Sequence, residues 1–183
     1  MPGTMLNTQS YKNSIQKTYK VLVADDHDIF RHGLKTLLCK YPFIKFKGEA
    51  SNGKELKDLA KKEQPDLIFM DLHMPGGHGI EATTEILHEH PEIKIVVLSF
   101  YDDAITVERM MKLGASAYLT KNISFQVLDM MFEKVLNGFQ YISPEAASNI
   151  MINKISPGPS LGTPEQGLWL QNAANPRQSR VVV

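Results

Sequence analysis

This sequence of 183 residues has little of three things that restrict where a protein can work. Cys39 is its single cysteine, so no disulfide forms within the chain, and the composition does not suit an oxidising compartment. Long apolar runs are missing, which argues against a signal peptide and a membrane span. Basic and acidic side chains balance at 20 each, so a general attraction to nucleic acid or anionic lipid is not expected. We therefore predict a cytoplasmic protein with no membrane partner.

What the chain does contain is an alternation of short apolar runs with amphipathic helical segments, repeated five times. The runs lie at residues 21–24, 44–47, 67–70, 95–98 and 116–119. Such alternation predicts a parallel sheet with helices on both faces. Lysines alternate with apolar residues in 44–47, as in an edge strand. The predicted fold class is α/β, a flavodoxin-like (βα)5 doubly wound parallel sheet with strand order 2-1-3-4-5.

The chain divides into four segments by composition. Residues 1–18 are polar and are expected to form a flexible leader, and residues 19–140 form the folded domain. Ser143 followed by Pro144 is typical of a helix start, which predicts a linker helix within 141–155. Residues 156–183 are rich in proline and glycine and are expected to form a disordered tail.

Polar side chains follow several predicted strands at the point where each strand ends. Asp25 and Asp26 follow the first strand, Asp71 the third, Ser99 the fourth and Lys121 the fifth. Because the carboxyl ends of parallel strands share one sheet edge, we expect these residues to meet there. Three converging carboxylates favour a hard dication, and Mg2+ completed by a phosphoryl oxygen fits best. Lys121 and the Ser99 hydroxyl would hold the remaining phosphoryl oxygens, with Asp71 as the acceptor.

Four motifs in this order resemble the receiver domain of bacterial two-component response regulators. They are Val23-Ala24-Asp25-Asp26-His27, the segment from Met70 to Gly79, Val97-Leu98-Ser99, and the segment from Gly114 to Lys121. The resemblance covers about residues 19–140. The Gly-Gly-His-Gly loop and residues 137–143 look most like the NarL/LuxR subfamily, in which a helix-turn-helix effector domain usually follows. Residues 156–183 lack the amphipathic helices and basic residues of such a domain, so no complete effector is expected there.

The resemblance also implies roles for individual residues. Asp71 would be the phosphoacceptor, attacking the phosphohistidine of a sensor histidine kinase. Asp26 and Asp71 would ligate Mg2+ together with the backbone carbonyl of His73, and Asp25 would act through a water molecule.

Further roles concern the switch and the lifetime of the phosphoryl group. Ser99 and Tyr118 would be the switch pair, and Lys121 would bind a phosphoryl oxygen. His73 and Tyr101 occupy positions that face the phosphoryl group in this family, and we predict that their rings screen water and slow dephosphorylation.

The resemblance implies a repacked surface on the fourth helix, fifth strand and fifth helix as the output. A homodimer through this surface, or through the first and fifth helices, is an expected partner arrangement. The chain would phosphorylate itself and dephosphorylate slowly, which is not enzymatic turnover.

Two other functions compete with this interpretation. A phosphotransferase of the haloacid dehalogenase kind needs a second aspartate two residues after the nucleophile, where this chain has His73. A DNA-binding transcriptional regulator of the NarL/LuxR family, represented here in truncated form, needs a complete effector domain in the parent protein.

Simpler interpretations apply to single residues. A lone aspartate after a strand more often caps a helix than does chemistry. His27 and His32, and likewise His88 and His90, lie close in sequence but form no convincing zinc ligand set. Many receivers have a cis proline after the lysine, whereas Asn122 follows Lys121 here, and a cis bond before a non-proline residue costs about 3 kcal/mol.

Overall fold

The computed structural model describes residues 17–75, 78–100, 104–148 and 181–182. These residues belong to two units, Met1–Ile93 and Lys94–Val183, and each unit contains parallel strands. Within the described part of the chain, no helix is long and apolar enough to cross a membrane.

The described residues of the first unit form three parallel strands in the order β2-β1-β3. Its elements are β1 (Tyr19–Ala24), α1 (Asp28–Leu38), β2 (Ile44–Ala50), α2 (Gly53–Glu63), β3 (Leu67–Asp71) and α3 (His78–Glu89). β1 and β3 are buried over consecutive residues, as expected for strands covered on both faces. β2 is only half-buried and lies at the edge, as its alternating lysines predict.

The second unit contains the strands β4, β5, β6 and β7 in that order. Its elements are β4 (Lys94–Ser99), α4 (Ala104–Leu113), β5 (Ala117–Thr120), α5 (Phe125–Leu136), β6 (Gln140–Ile142) and β7 (Val181–Val182). All three pairings among these strands are parallel. The apolar face of α5 is buried through Leu128, Met131, Phe132 and Val135, which explains its helical spacing.

The short strand β6 has no counterpart among the strands that the sequence predicts. The range 141–155 was predicted as a linker helix, but Tyr141 and Ile142 pair with β5 instead. Two apolar residues are too few to show a period, so this strand is decided by its pairing partner. The predicted helix start is confirmed, because Ser143 Oγ accepts a hydrogen bond from Ala146 N at 3.5 Å and residues 144–148 are helical.

Other parts of the predicted segmentation lie outside the described residues. They are residues 1–16 of the leader, residues 149–155 of the linker helix, and residues 156–180 and 183 of the tail.

Candidate functional site

Three aspartates and one histidine come together where β1 and β3 end. Asp25 and Asp26 directly follow β1, and Asp71 is the last residue of β3. The two strands pair in parallel, so their carboxyl ends lie at the same edge. One ligand atom from each of Asp25, Asp26, His27 and Asp71 lies within 4.8 Å of the others. The sequence-predicted carboxylates of this unit are therefore neighbours.

The two innermost carboxylates are buried and held by the backbone. Asp25 is 0% exposed and Asp71 is 1% exposed. His27 N donates a hydrogen bond to Asp25 Oδ1 at 2.9 Å, and His73 N donates one to Asp71 Oδ1 at 3.0 Å. In each case the donor is two residues after the aspartate, which is the geometry of an Asx turn. Burying carboxylates is costly without compensating charge, so the cluster suits a cation.

An arginine that the sequence analysis did not single out supports the loop after β1. Arg31 of α1 donates through one terminal nitrogen to the backbone oxygen of Asp25, and its other terminal nitrogen pairs with Asp28. Its Nε lies 3.9 Å from Glu49 Oε2 of β2. This guanidinium therefore connects α1, the end of β1 and the end of β2. The sequence gives no periodic signal for such a contact, because Glu49 lies 18 residues further along.

Gly79 allows α3 to approach the backbone that carries Asp71. A Cβ atom at this position would lie 2.5 Å from the Leu72 carbonyl oxygen and 2.6 Å from the Asp71 carbonyl oxygen. Real Cβ atoms do not come so close to backbone oxygens, so only glycine fits without a shift. In the sequence alone, Gly79 stands out only as part of the family and subfamily resemblance.

In the second unit, the other predicted residues lie at the ends of β4 and β5. Ser99 ends β4 and Tyr118 lies within β5, and both are fully buried. Lys121 follows β5, is 7% exposed, and donates its backbone N–H to the Ser99 oxygen at 2.8 Å. Its Nζ lies 4.6 Å from the centroid of the Phe100 ring, within the range of a cation–π contact. No cis peptide bond occurs in the described segments, so the bond from Lys121 to Asn122 is trans.

His73 and Tyr101 are the two residues predicted to tune dephosphorylation, and the structure describes His73. His73 has a side chain that is 55% exposed, and its Nδ1 lies 3.9 Å from Asp71 Oδ1. Tyr101 lies outside the described residues. His27 is a residue of this cluster to which the sequence assigned no role, either within the Val23–His27 motif or beside His32 as a zinc ligand. Its signal was its place directly after two aspartates at a strand end.

Comparison with known proteins supplies a family. A model of the response regulator receiver domain matches residues 21–133. The transcriptional regulatory protein DegU of Brevibacillus brevis is 34% identical over 146 residues, which are 80% of this chain and 60% of DegU. The response regulator GacA of Pseudomonas aeruginosa is 35% identical over 138 residues, which are 75% of this chain and 64% of GacA. The chain thus spans less than two thirds of the length of these relatives.

Solved structures show the same fold. A two-component response regulator of the LuxR family from Aurantimonas sp. matches with a TM-score of 0.70 and 29% identity, covering 76% of this chain and 100% of that one. The isolated REC domain of RcsB from Salmonella enterica, with the phosphomimetic BeF3-, matches with a TM-score of 0.68 and 20% identity. That match covers 73% of this chain and 99% of the RcsB chain, and it concerns the fold alone. The predicted flavodoxin-like fold class is confirmed.

Proposed function

Because this chain belongs to the family of response regulator receiver domains, we propose that it accepts a phosphoryl group on Asp71 in a Mg2+-dependent reaction. Phosphorylation and Mg2+ binding are general in this family. The observation that carries the assignment to these residues is the cluster of Asp25, Asp26, His27 and Asp71, whose ligand atoms lie within 4.8 Å of one another.

The donor set fits Mg2+. This ion prefers oxygen ligands, commonly one or two carboxylates with water molecules and a phosphoryl oxygen. Asp26 and Asp71 are proposed as direct ligands with the His73 carbonyl, and Asp25 is proposed to act through a water molecule. When bound, Mg2+ would neutralise charge that develops on the phosphoryl oxygens.

The proposed donor is the phosphohistidine of a sensor histidine kinase. A carboxylate oxygen of Asp71 forms a bond to phosphorus while the bond from phosphorus to the histidine nitrogen breaks, and that electron pair stays on the departing imidazole. Asp71 suits this role because it is the last residue of β3 and its carboxylate is oriented by the hydrogen bond from the His73 N–H.

The roles proposed for the second unit depend on the family match. The Ser99 hydroxyl and the Lys121 ammonium would bind phosphoryl oxygens by hydrogen bond and by charge. The Tyr118 ring is already buried in this structure, so the switch is proposed as a shift in population toward this arrangement. A Tyr118 ring environment that stays unchanged in NMR spectra on phosphorylation would contradict the switch role.

The lifetime of the phosphoryl group is proposed to depend on His73 and Tyr101. The proposal that His73 hinders an attacking water molecule is supported by its half-exposed ring, whose Nδ1 lies 3.9 Å from Asp71 Oδ1. We expect His73→Asn combined with Tyr101→Ala to shorten the lifetime, measured as the decay of phosphorylated protein after the phosphodonor is removed. An unchanged lifetime would show that both are ordinary loop residues.

The assignment to the receiver family also leads to proposals on enzymatic turnover, cellular location and DNA binding. Receivers are not classical enzymes, and we propose self-phosphorylation followed by slow autodephosphorylation only. A cytoplasmic location is proposed as well. DNA binding is proposed only for a parent protein that has an effector domain; DegU is named as a transcriptional regulatory protein, and two RcsB dimers have been solved on DNA.

Intact-protein mass after incubation with acetyl phosphate tests the proposal. Wild type in Mg2+ should gain one phosphoryl group, whereas Asp71→Asn and a Mg2+-free sample should gain none. Asp58→Asn, an exposed aspartate of α2, is the matched control and should behave as wild type. If folded wild-type protein gains no mass, the chain shares the fold of the family but not its phosphorylation chemistry.

A further inference from the structure

His27 lies at the start of α1, but its side chain does not cap the helix. It is the N-cap of α1, a position that favours side chains able to accept backbone hydrogen bonds, yet its side chain makes no capping hydrogen bond. Instead its Nδ1 lies 2.9 Å from Asp26 Oδ1 and 3.2 Å from Asp25 Oδ1. The imidazole therefore faces the two carboxylates that directly follow β1.

These separations match those between ligand atoms on one metal ion. Two ligand atoms that each lie about 2.1 Å from an ion and subtend a right angle are about 3.0 Å apart. The distances from His27 Nδ1 to Asp26 and Asp25 are close to this value, and Asp71 also offers an oxygen within the 4.8 Å cluster. The side chain of His27 is 57% exposed, so an ion from solution can reach its ring.

The chemistry of the ring decides which ion gains from it. Mg2+ takes oxygen ligands and gains little from an imidazole. First-row transition-metal dications accept imidazole nitrogen readily, and their affinity for mixed nitrogen and oxygen sites rises from Mn2+ to Cu2+. A site of three carboxylates and one imidazole therefore favours these ions more than three carboxylates alone.

We propose that His27 is a nitrogen ligand through which the Asp25–Asp26–Asp71 site binds transition-metal dications more tightly than Mg2+. The proposal rests on the proposed function, because it concerns the same cation site. The competing explanation is that the imidazole only pairs with Asp26 and Asp25, in which case a dication would have to displace it.

Calorimetric titration of the full chain with Co2+ and separately with Mg2+ tests the proposal. In wild type, Co2+ should bind more tightly than Mg2+, and Mg2+ should compete with it. His27→Asn should weaken Co2+ binding by roughly tenfold or more while changing Mg2+ binding less than about twofold. The visible absorption of bound Co2+ should also change in His27→Asn, because a nitrogen ligand is lost.

Two further variants separate the possible outcomes. His32→Asn removes a histidine inside α1 and should leave the affinities for Co2+ and Mg2+ unchanged, whereas Asp26→Asn should weaken the binding of both ions. Equal Co2+ affinity in wild type and His27→Asn would overturn the proposal. It would also be overturned if His27→Asn bound both ions more tightly than wild type does, or if His32→Asn weakened Co2+ binding as much as His27→Asn does. A wild type that binds neither ion would instead overturn the proposed function itself.

Discussion

Gly79 lets α3 pass close to the backbone that holds Asp71, and the overlap of an added Cβ with two carbonyl oxygens has a measurable cost. Gly79→Ala should lower the free energy of unfolding by roughly 1–3 kcal/mol, because backbone on both sides must move. Since one of these oxygens belongs to Asp71, phosphorylation by acetyl phosphate should slow as well. Urea unfolding and intact-mass kinetics measure the two effects.

Gly33 provides the matched control for this substitution. It lies inside α1, and an added Cβ there meets nothing within 4 Å. Gly33→Ala should therefore stabilise the protein by up to about 1 kcal/mol, since alanine favours a helix interior. Equal destabilisation by the two variants would show that close approach at Gly79 is not the cause.

Tyr141 shows how a single buried hydroxyl sets a pH dependence. Its ring is 3% exposed, and its hydroxyl has no hydrogen-bond partner among the described residues. Burial, with a smaller contribution from the charge of Glu145, raises the pKa of Tyr141 above its ordinary value. The unfolded chain then loses this proton at lower pH than the folded chain, so stability is lost as pH rises above about 10.

Tyr141→Phe should remove this alkaline loss. At pH 7 the variant should stay within about 1 kcal/mol of wild type, because the hydroxyl that it removes is buried without a partner. At high pH the variant should retain more of its free energy of unfolding than wild type does. Urea unfolding at several pH values measures both, and parallel pH profiles for the two proteins would contradict the argument.

At the level of elements, the start of α2 is capped by the side chain of Asn52. Asn52 Oδ1 accepts a hydrogen bond from Glu55 N at 3.0 Å, and Glu55 Oε2 accepts one from Ser51 N at 2.8 Å. The hydrogen bond from the Ser51 backbone lowers the pKa of Glu55. The Asn52 side chain thus satisfies the Glu55 N–H, one of the first N–H groups of this helix, and all three residues are close in sequence.

Asn52→Ala should destabilise the protein by about 1 kcal/mol, because it removes the acceptor for the Glu55 N–H. The free energy of urea unfolding measures the loss. Lys54→Ala changes an exposed residue of the same helix and should cost little. If both substitutions cost the same, the cap does not contribute specifically.

At the scale of the whole molecule, two exposed isoleucines distinguish the proposed dimer surfaces. Ile105 of α4 is 80% exposed and Ile29 of α1 is 90% exposed. We expect phosphorylation to drive dimerisation through the surface of α4, β5 and α5. Burial of Ile105 would contribute to that dimer, because apolar area leaves water on association.

Sedimentation velocity in acetyl phosphate and Mg2+ measures this association. Ile105→Lys should raise the dimer dissociation constant roughly tenfold or more, a change of about 1.4 kcal/mol, whereas Ile29→Lys should dimerise as wild type does. The opposite pattern would assign the dimer to α1 and α5. Wild-type protein that stays monomeric when phosphorylated would exclude both surfaces.

By itself the sequence determined the fold class and the position of the carboxylates along it. Apolar runs of strand length alternate with helical spacing, and this periodicity is local, so it can be read without knowing which strands pair. Asp25 and Asp71 could be expected to meet because they lie at the carboxyl ends of two strands of one parallel sheet. The family follows from the same residues together with their neighbours.

Only the tertiary structure decided the features that depend on contacts between distant or alternative partners. β6 forms because Tyr141 and Ile142 pair with β5. Two apolar residues in a row do not by themselves predict a strand. Glycine is needed at position 79 because a Cβ atom there would overlap the backbone carbonyl oxygens of Asp71 and Leu72. The His27 ring could either cap α1 or face the carboxylates, and in the structure it faces the carboxylates. The rotamer of such a side chain depends on the backbone, packing and charge around it, which the sequence does not show.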